Sequence, residues 1–462
     1  MSLELQANLK DVDVLVAGAG VAGLMAAVTA AHAGARVCVV EKQPVSGGSS
    51  YISGGFFAFA GTEEQAALGI SDSSAQLEAD LLTVGGGLCD PALVRQFADH
   101  QFETYEFLKL LGTHFQPPVL SSGQSVPRSH QVYVPSLVGT LEKELAASGG
   151  KLVWNTSLSE LAVGPNGLVA GLAVKGIDEI VRVRPNKATI LATGGFSRNR
   201  EMIERFAPGK GRALLIGGNG NSGDGIALAE SAGAVLRDMD QIKGTFGCHP
   251  DYSGDSSEIL LSNYSGAIIV NKEGRRFVNE SLSYKLLGDA CLDQPDCLGF
   301  EIFDRKVMDR SQPGTVMFDF DDVARRGLLV TAGSLEELAG KIGIPPESLV
   351  GEIDGYNARI RAGEPDPLGR RSLSMGYGEP LPIDEPPFHA FKATAGIVAT
   401  YCGVTVDAFA RLLDGEGRPI DHVYAIGEIM GGFHGRAYMT GTSLGKSAVF
   451  GRIAGSHACG GA

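Results

Sequence analysis

The sequence predicts an α/β fold in which one dinucleotide-binding unit is divided along the chain. Three observations carry this. Residues 12–16, VDVLV, read as a short buried strand that runs straight into AGAGVAG and a helical run of small apolar residues, LMAAVTAAHAG. Far downstream VYAIGE, 423–428, reads as another strand, and an apolar helix beginning near Leu444 would return the C-terminus to the same nucleotide. Between them, residues from about 246 to 385 change character, with short strands, polar loops and the Pro-rich connections PPES, EPDPLG and EPLPIDEPP. The expected organisation is therefore 1–245, 246–385 and 386–462, with hinges near Gly244–Gly247 and Pro386–Pro387.

The first element after the strand is GxGxxG, with Gly18, Gly20 and Gly23. Such glycines permit the tight turn, let the backbone approach a pyrophosphate and allow close helix–sheet packing. The helix that opens at Val21 and Ala22 presents free N–H groups to the anion. ARVCVVEK then reads as a second strand ending at Glu41, where a carboxylate can accept hydrogen bonds from ribose hydroxyls and disfavours a 2′-phosphate. Lys42 opens the next stretch, KQPVSGGSSYISGG. There Gly47 and Gly48 precede Ser49, Ser50 and Ser53, with Gly54 and Gly55 closing the loop. This second backbone- and hydroxyl-rich loop favours FAD over NAD, because a ribityl chain and an isoalloxazine ring need more protein than a pyrophosphate turn. The C-terminal helix start could stabilise charge on the reduced ring.

Composition is that of an ordinary globular chain: 462 residues, 44% hydrophobic and 20% charged. That length suggests two or more structural units. The net charge of −14 disfavours nucleic acid as a partner. Seven dispersed cysteines without CxxC or CxxCH argue against a zinc ribbon, a dithiol motif or a c-type haem, and no metal site is expected. They fit reduced thiols in the cytoplasm. MSLELQANLKDVDVLV shows no signal-peptide core, and no apolar stretch reaches the length of a bilayer span. Oligomeric state is left open.

The assembled motifs resemble the flavoprotein family of succinate dehydrogenase and fumarate reductase, and within it the 3-ketosteroid dehydrogenase branch. The matching pieces are GAGVAG…EK…SGGSSYISGG, ILATGGFSRNREM (190–202), GNGNSGDGIALAESAGA (218–234), IIVNKEGRRFVNES (268–281) and VYAIGEIMGGFHG…GTSLGKSAVFGRIAG (423–455). The resemblance implies a Rossmann-like FAD-binding domain of the GR2 type with an inserted α+β capping domain at 246–385. It extends the cofactor-binding set to Ala162, Ala192, Thr193, Gly194, Asn221, Gly223, Asp224, Gly427, Glu428, Thr442, Ser443 and Leu444. Members that attach FAD through His carry that residue in the loop after the second strand. This chain has SSYIS there, which implies noncovalent FAD. With no second GxGxxG in strand context, electrons pass to or from a carrier, quinone, oxygen or partner protein still to be identified.

Desaturation beside a carbonyl removes a proton from one carbon and a hydride from the next, so the protein must supply a base and a donor to the carbonyl oxygen. Fumarate-reducing members hold their substrate with an Arg in an HGxNRxGG segment and another shortly after RFVNE. Here HGRAYMTG places Tyr438 at the first position and RFVNESLSY places Tyr284 at the second, as in the ketosteroid dehydrogenases. The His expected in the segment matching GIVATYCGVTVD is absent, with Ala399 near its place. The resemblance therefore implies Tyr438 as general base and Tyr284 as relay or second contact, with Gly441 and the Thr442 and Ser443 N–H groups as carbonyl donors. In the steroid enzymes the donor is a glycine four residues after the tyrosine; here that residue is Thr442. The alternative for either tyrosine is a packed aromatic with a satisfied hydroxyl.

Candidate substrate-binding residues are Tyr51, Tyr133, His249, His434 and Arg436; Arg276 and Glu280 read as a structural pair. The leading expectation is an FAD-dependent dehydrogenase of a 3-ketosteroid or a smaller cyclic ketone, such as an oxocyclohexane carboxylate. The alternatives are a fumarate reductase-like enzyme acting on an unsaturated acid, which His249 and Arg436 would serve, and a flavin-binding redox protein without turnover.

Overall fold

The structure, a computed structural model, describes residues 11–461 apart from 165–166, 175–179, 243 and 254–257. Residues 1–10, on which the reading of no leader partly rests, lie outside the described residues. The nucleotide-binding unit is organised by six strands: β1 Val14–Ala17, β2 Val37–Val40, β3 Lys151–Val153, β4 Ala188–Leu191, β5 Arg411–Leu413 and β6 Pro419–Ala425. Their spatial order is β5-β6-β4-β1-β2-β3, and every pairing is parallel except β5–β6. β1, β2 and β4 (VLVA, VCVV and ATIL) are buried at every position. That is why they read as continuous apolar runs without alternation: a parallel sheet is covered on both faces. Helix α1, Val21–His32, makes the crossover from β1 to β2.

The middle segment builds a second sheet around one long strand, Phe388–Ile397. That strand pairs antiparallel with Gly299–Phe303, Leu329–Ala332 and Thr245–Cys248, and Ile268–Val270 adds to Gly299–Phe303. Its last residues, Gly396 and Ile397, pair in parallel with Leu214 and Leu215 of the nucleotide-binding unit. The sheet of the middle segment thus continues to Ile397, past the expected return at 386. FHAFKATAGI reads as a strand in either unit, so only its partners assign it. Within this unit Arg276 Nε donates to Glu280 Oε1 at 2.7 Å, both groups buried. Helix α2, Tyr284–Leu292, is capped by Ser283, whose hydroxyl accepts from Lys285 N, and it turns Tyr284, Leu287 and Cys291 inward. It lies close on the Thr245–Cys248 strand: a Cβ at Gly288 would stand 2.1 Å from Gly244 O.

The last helix, α3 (Thr442–His457), returns to pack along α1. Alanines on α1 and glycines on α3 bring the two backbones together. A Cβ at Gly451 would stand 2.7 Å from Ala22 O, and one at Gly455 2.5 Å from Ala26 O. Gly451→Ala should therefore cost about 1–3 kcal/mol through overpacking against rigid backbone. Gly340 sits exposed in helix Leu335–Ile342, and a Cβ there meets nothing within 4 Å. Gly340→Ala should stabilise by about 0.5–1 kcal/mol. Paired denaturant titrations read both; equal effects at the two glycines would contradict the close contact.

Candidate active site

A continuous cavity of about 1580 Å³, partly open to solvent, runs from the β1–α1 turn to the cap. Its lining includes both the glycine turns and the aromatic cap end, so one space joins them. At its nucleotide end Glu41 is pinned at the end of β2. Its Oε2 accepts from Ala19 N at 2.8 Å and its Oε1 from Gln43 N at 2.8 Å. Gly20 borders open space, since an added Cβ finds nothing nearer than 3.7 Å. Val21 N donates to Ser50 Oγ at 3.3 Å, and Ser49 Oγ accepts from Gly218 N at 3.2 Å, so the serine loop is tied to both neighbouring turns. Lys42 donates to Asp224 and Ser222 at 2.9 Å, which leaves the α1 N-terminus to meet a pyrophosphate. Glu428 is held by Asn221 Nδ2 and Thr400 N at 2.9 Å, and burial pushes its carboxyl above the usual range.

Among the described residues, two buried polar atoms on the cavity wall, Thr193 Oγ1 and His434 Nε2, have no protein partner. Unpartnered buried groups of this kind call for a ligand. Together with the glycine cradle and the acidic residue at the end of β2, they fit FAD. Gly18, Gly20, Val21, Ala22, Glu41, Lys42, Gly47, Gly48, Ser49, Ser50, Ser53 and Gly54 line the cavity. So do Ala192, Thr193, Gly194, Asn221, Asp224, Glu428, Ser443 and Leu444.

Six expected cofactor positions stand off the wall. Ala162 is exposed, and Thr156, Ser157 and Leu158 of the same strand line the cavity instead. Gly23 serves backbone packing: a Cβ there would lie 2.0 Å from Gly18 O. Gly55 approaches Val132 O, Gly223 turns under Met202 into the following helix, and Gly427 fits against Ala22, all three with positive φ. Thr442 turns both donors back on Met439 O, its N–H at 3.2 Å and its hydroxyl at 2.7 Å, so it is not a carbonyl donor.

The cap end of the cavity is aromatic and apolar. Tyr438, Tyr284 and Tyr401 line it with His434, beside Phe56, Ile259, Met317, Val398 and Ala399. The Tyr438 ring lies 5.6 Å from Tyr284 and 4.7 Å from Tyr401, and His434 packs 5.0 Å from Tyr401 and 5.3 Å from Tyr438. Tyr401 is held at φ +60, a conformation L-residues seldom adopt outside constrained sites. Ser283 Oγ donates to Tyr438 O at 2.9 Å, and Ser122 Oγ does so at 3.0 Å, which fixes the loop to the start of α2.

Tyr438 Oη accepts from Ser443 N at 3.3 Å, at the N-terminus of α3. Burial raises all three phenols. Tyr284 and Tyr401 lie well above the ordinary value, while donors from Ser443, Gly441 and Tyr284 hold Tyr438 down against that rise. Tyr438 is thus the phenol best placed to ionise. Burial keeps His434 neutral, with its pKa well below the ordinary range.

Four expected substrate contacts face elsewhere. Tyr51 is 41% exposed, its ring laid over Gly47, and Tyr133 is 75% exposed at the N-cap of helix Val134–Ala147. His249 Nδ1 accepts from Asp251 N at 3.2 Å, outside the cavity wall. Arg436 is exposed, because its N–H is tied to Gly85 O at 3.0 Å on the outer helix and the side chain projects outward over Gly86. Sequence reasoning missed Tyr401, Thr245, Lys285 and Lys446. A second phenol two residues past Ala399, where fumarate reducers carry a His, is the signal for Tyr401. Lys446 lines the cavity, donates to Met430 O at 3.1 Å, and burial lowers it to about 8.

Residues 13–444 match the family model described as an FAD binding domain. The chain belongs to this FAD-binding flavoprotein family. It is 32% identical over 453 residues to a probable fumarate reductase of Shewanella frigidimarina, covering 96% of this chain and 74% of that protein. It is 26% identical to a 3-oxosteroid 1-dehydrogenase of Mycobacterium tuberculosis over 97% of this chain and 98% of that one. The solved 3-ketosteroid-Δ4-(5α)-dehydrogenase of Rhodococcus jostii, in complex with 4-androstene-3,17-dione, superposes with a TM-score of 0.76 at 25% identity, covering 97% of each chain. The flavoprotein is an FAD-dependent oxidoreductase acting on C–C bonds. Among its described residues no helix is long and apolar enough to cross a membrane.

Loss of the Glu41 carboxylate removes a charged hydrogen-bonding group from the nucleotide end, a class of interaction contributing about 1.5–3 kcal/mol. Glu41→Ala in the flavoprotein should weaken FAD binding about 10- to 100-fold while the apoprotein still folds. Fluorescence titration of apoprotein with FAD measures it, and an unchanged dissociation constant would contradict a ribose contact.

Proposed function

We propose that this flavoprotein desaturates the C–C bond beside the carbonyl of a cyclic ketone, either a 3-ketosteroid or a smaller ring. The observation that carries this reading is the cap end of the cavity: three phenols and an apolar wall, with no arginine among its described lining residues. A dicarboxylate is best clamped by bidentate guanidinium groups, whereas a ring ketone needs apolar contact, a base and a donor to its oxygen. In this reading Tyr438 removes the proton from the carbon next to the carbonyl. Tyr284 shares or passes on that proton. His434 Nε2, which has no protein partner, is the donor assigned to the carbonyl oxygen. Bound FAD, held noncovalently, supplies the acceptor for the hydride leaving the neighbouring carbon. We place the protein in the cytoplasm, which seven unpaired thiols support.

A second reading, reduction of an unsaturated acid, is favoured by the likeness to the Shewanella protein. An anaerobic screen separates them: the oxidised protein is mixed with steroid ketones, cyclohexanones and dicarboxylates, and flavin bleaching is followed. Bleaching by a ring ketone is expected. Bleaching by succinate alone would favour the second reading. Tyr438→Phe should leave a yellow protein and slow bleaching about 10²- to 10⁴-fold; an unchanged rate would place the base elsewhere.

A further inference from the structure

Lys285 has no part in the reading above, yet its ammonium lies against the phenol cluster. It is the second residue of α2 and 1% exposed. Its Nζ stands 4.2 Å from the Tyr401 ring centroid, 5.6 Å from that of Tyr284 and 5.7 Å from that of Tyr438. It donates to Thr245 Oγ1 at 2.5 Å, and Thr245 itself lines the cavity. The acidic groups that face it are engaged elsewhere. Asp289, one turn along α2, pairs with Lys210 at 2.6 Å, and Glu428 is held by Asn221 and Thr400. Cys248, on the adjoining strand, has its thiol pushed up to about 12, and His434 is held neutral, so neither carries charge near neutrality. A buried lysine without a close counter-ion is costly, and burial lowers this one to about 7.

We propose that Lys285 is the positioning residue that makes the phenol cluster a base: its ammonium, packed on the faces of all three rings, stabilises the phenolate through which Tyr438 accepts the substrate's proton. This rests on the assignment of Tyr438 as base. The protons balance as follows. At low pH Lys285 is charged and every phenol is neutral. Loss of one proton leaves either a neutral amine over phenols or an ammonium over a phenolate, two forms that differ only in where the remaining proton sits. The second form takes a proton from the substrate carbon and returns the cluster to its cationic state. That proton must leave to water before the next turnover. Burial lowers the lysine and raises the phenols, so a phenolate beside the ammonium offsets the cost of burying it.

The test uses the flavin-loaded protein grown with a fluorinated tyrosine, whose phenol ionises where the fold is stable. Tyrosinate absorbance is then titrated in the wild type, Lys285→Gln and Lys285→Arg, with Tyr438→Phe to assign the signal. A unit charge about 5–6 Å away in a medium of effective dielectric about 20 should move a phenol by roughly two pH units. Lys285→Gln should raise the cluster midpoint by that amount, and Lys285→Arg should restore the lower value. In the bleaching assay Lys285→Gln should slow the reaction about 10- to 100-fold at pH 7, leave KM unchanged and shift the rising limb of the pH profile upward. If Lys285→Gln fails to retain flavin, Lys285→Met takes its place. Identical phenol midpoints in the wild type and the neutral variant, or a rising limb unmoved by the substitution, would overturn the proposal. If no ketone bleaches any variant, the reading of the substrate falls while the phenol titration still decides the role of Lys285.

Discussion

Backbone-to-backbone contact between the helices at the two ends of the chain is the constraint from which the site follows. Glycines on α3 let it lie directly on α1. Since α1 begins at the pyrophosphate turn, the start of α3 is carried to a fixed place beside the same cavity. A second close approach locks it: a Cβ at Gly441 would stand 2.5 Å from Ala58 N, which donates to Gly441 O at 3.2 Å. Ser443 N–H then points at Tyr438 Oη. The N-terminal nucleotide turn and the C-terminal phenol are thereby registered through rigid backbone, with no long side chain in between. Close-packed backbone transmits position well because it has few alternative arrangements.

The groups of the cap end are buried, and that governs their electrostatics. Glu428 is raised by burial, Lys446 and Lys285 are lowered, and His434 is neutral. In such a medium one N–H dipole or one ammonium changes a neighbour's proton affinity far more than it would in water. Three phenols share nearly the same burial. What separates Tyr438 from the others is the donor set at the α3 N-terminus. A helix terminus favours negative charge within its first turn; Tyr438 takes the Ser443 backbone N–H there, whereas Tyr401 meets only the Ser443 side chain.

The nucleotide end was legible because its signals are local. Gly18, Gly20 and Glu41 lie within one strand–helix–strand unit, and each has a spacing set by the chemistry it serves. The cap end is assembled from segments far apart in sequence: Tyr284 from α2, Tyr401 from the loop after Ile397, and Tyr438 from the turn before α3. Tyr438 and Tyr284 could be found only because family motifs flank them. Tyr401 and Lys285 have no such flank. Tyr51 and Tyr133 show the opposite failure: they lie near cavity-forming stretches in sequence, but their side chains face out. Proximity along the chain fixes where a backbone goes and leaves the side chain's direction to packing. Gly23, Gly55 and Gly427 belong to the cofactor motifs as spacers, where backbone crowding excludes a Cβ, and not as wall.

The same argument bears on why a family with fumarate reductases could also hold a ketone desaturase. The resemblance read from the sequence implies arginines in fumarate-reducing members where this chain has Tyr284 and Tyr438. A guanidinium stays protonated at any working pH, so it can clamp a carboxylate, but it is a poor acceptor for a proton drawn from carbon. A phenol reverses both properties: it has no fixed charge to hold an acid, and it becomes a base once its anion is stabilised. Exchanging the two residues would therefore exchange substrate charge and proton direction together. Each residue also asks something different of its neighbours. Arginines bring their own charge into the cavity, whereas phenols need a cation or dipole placed behind them. In this chain the α3 N-terminus and the ammonium of Lys285 occupy those places.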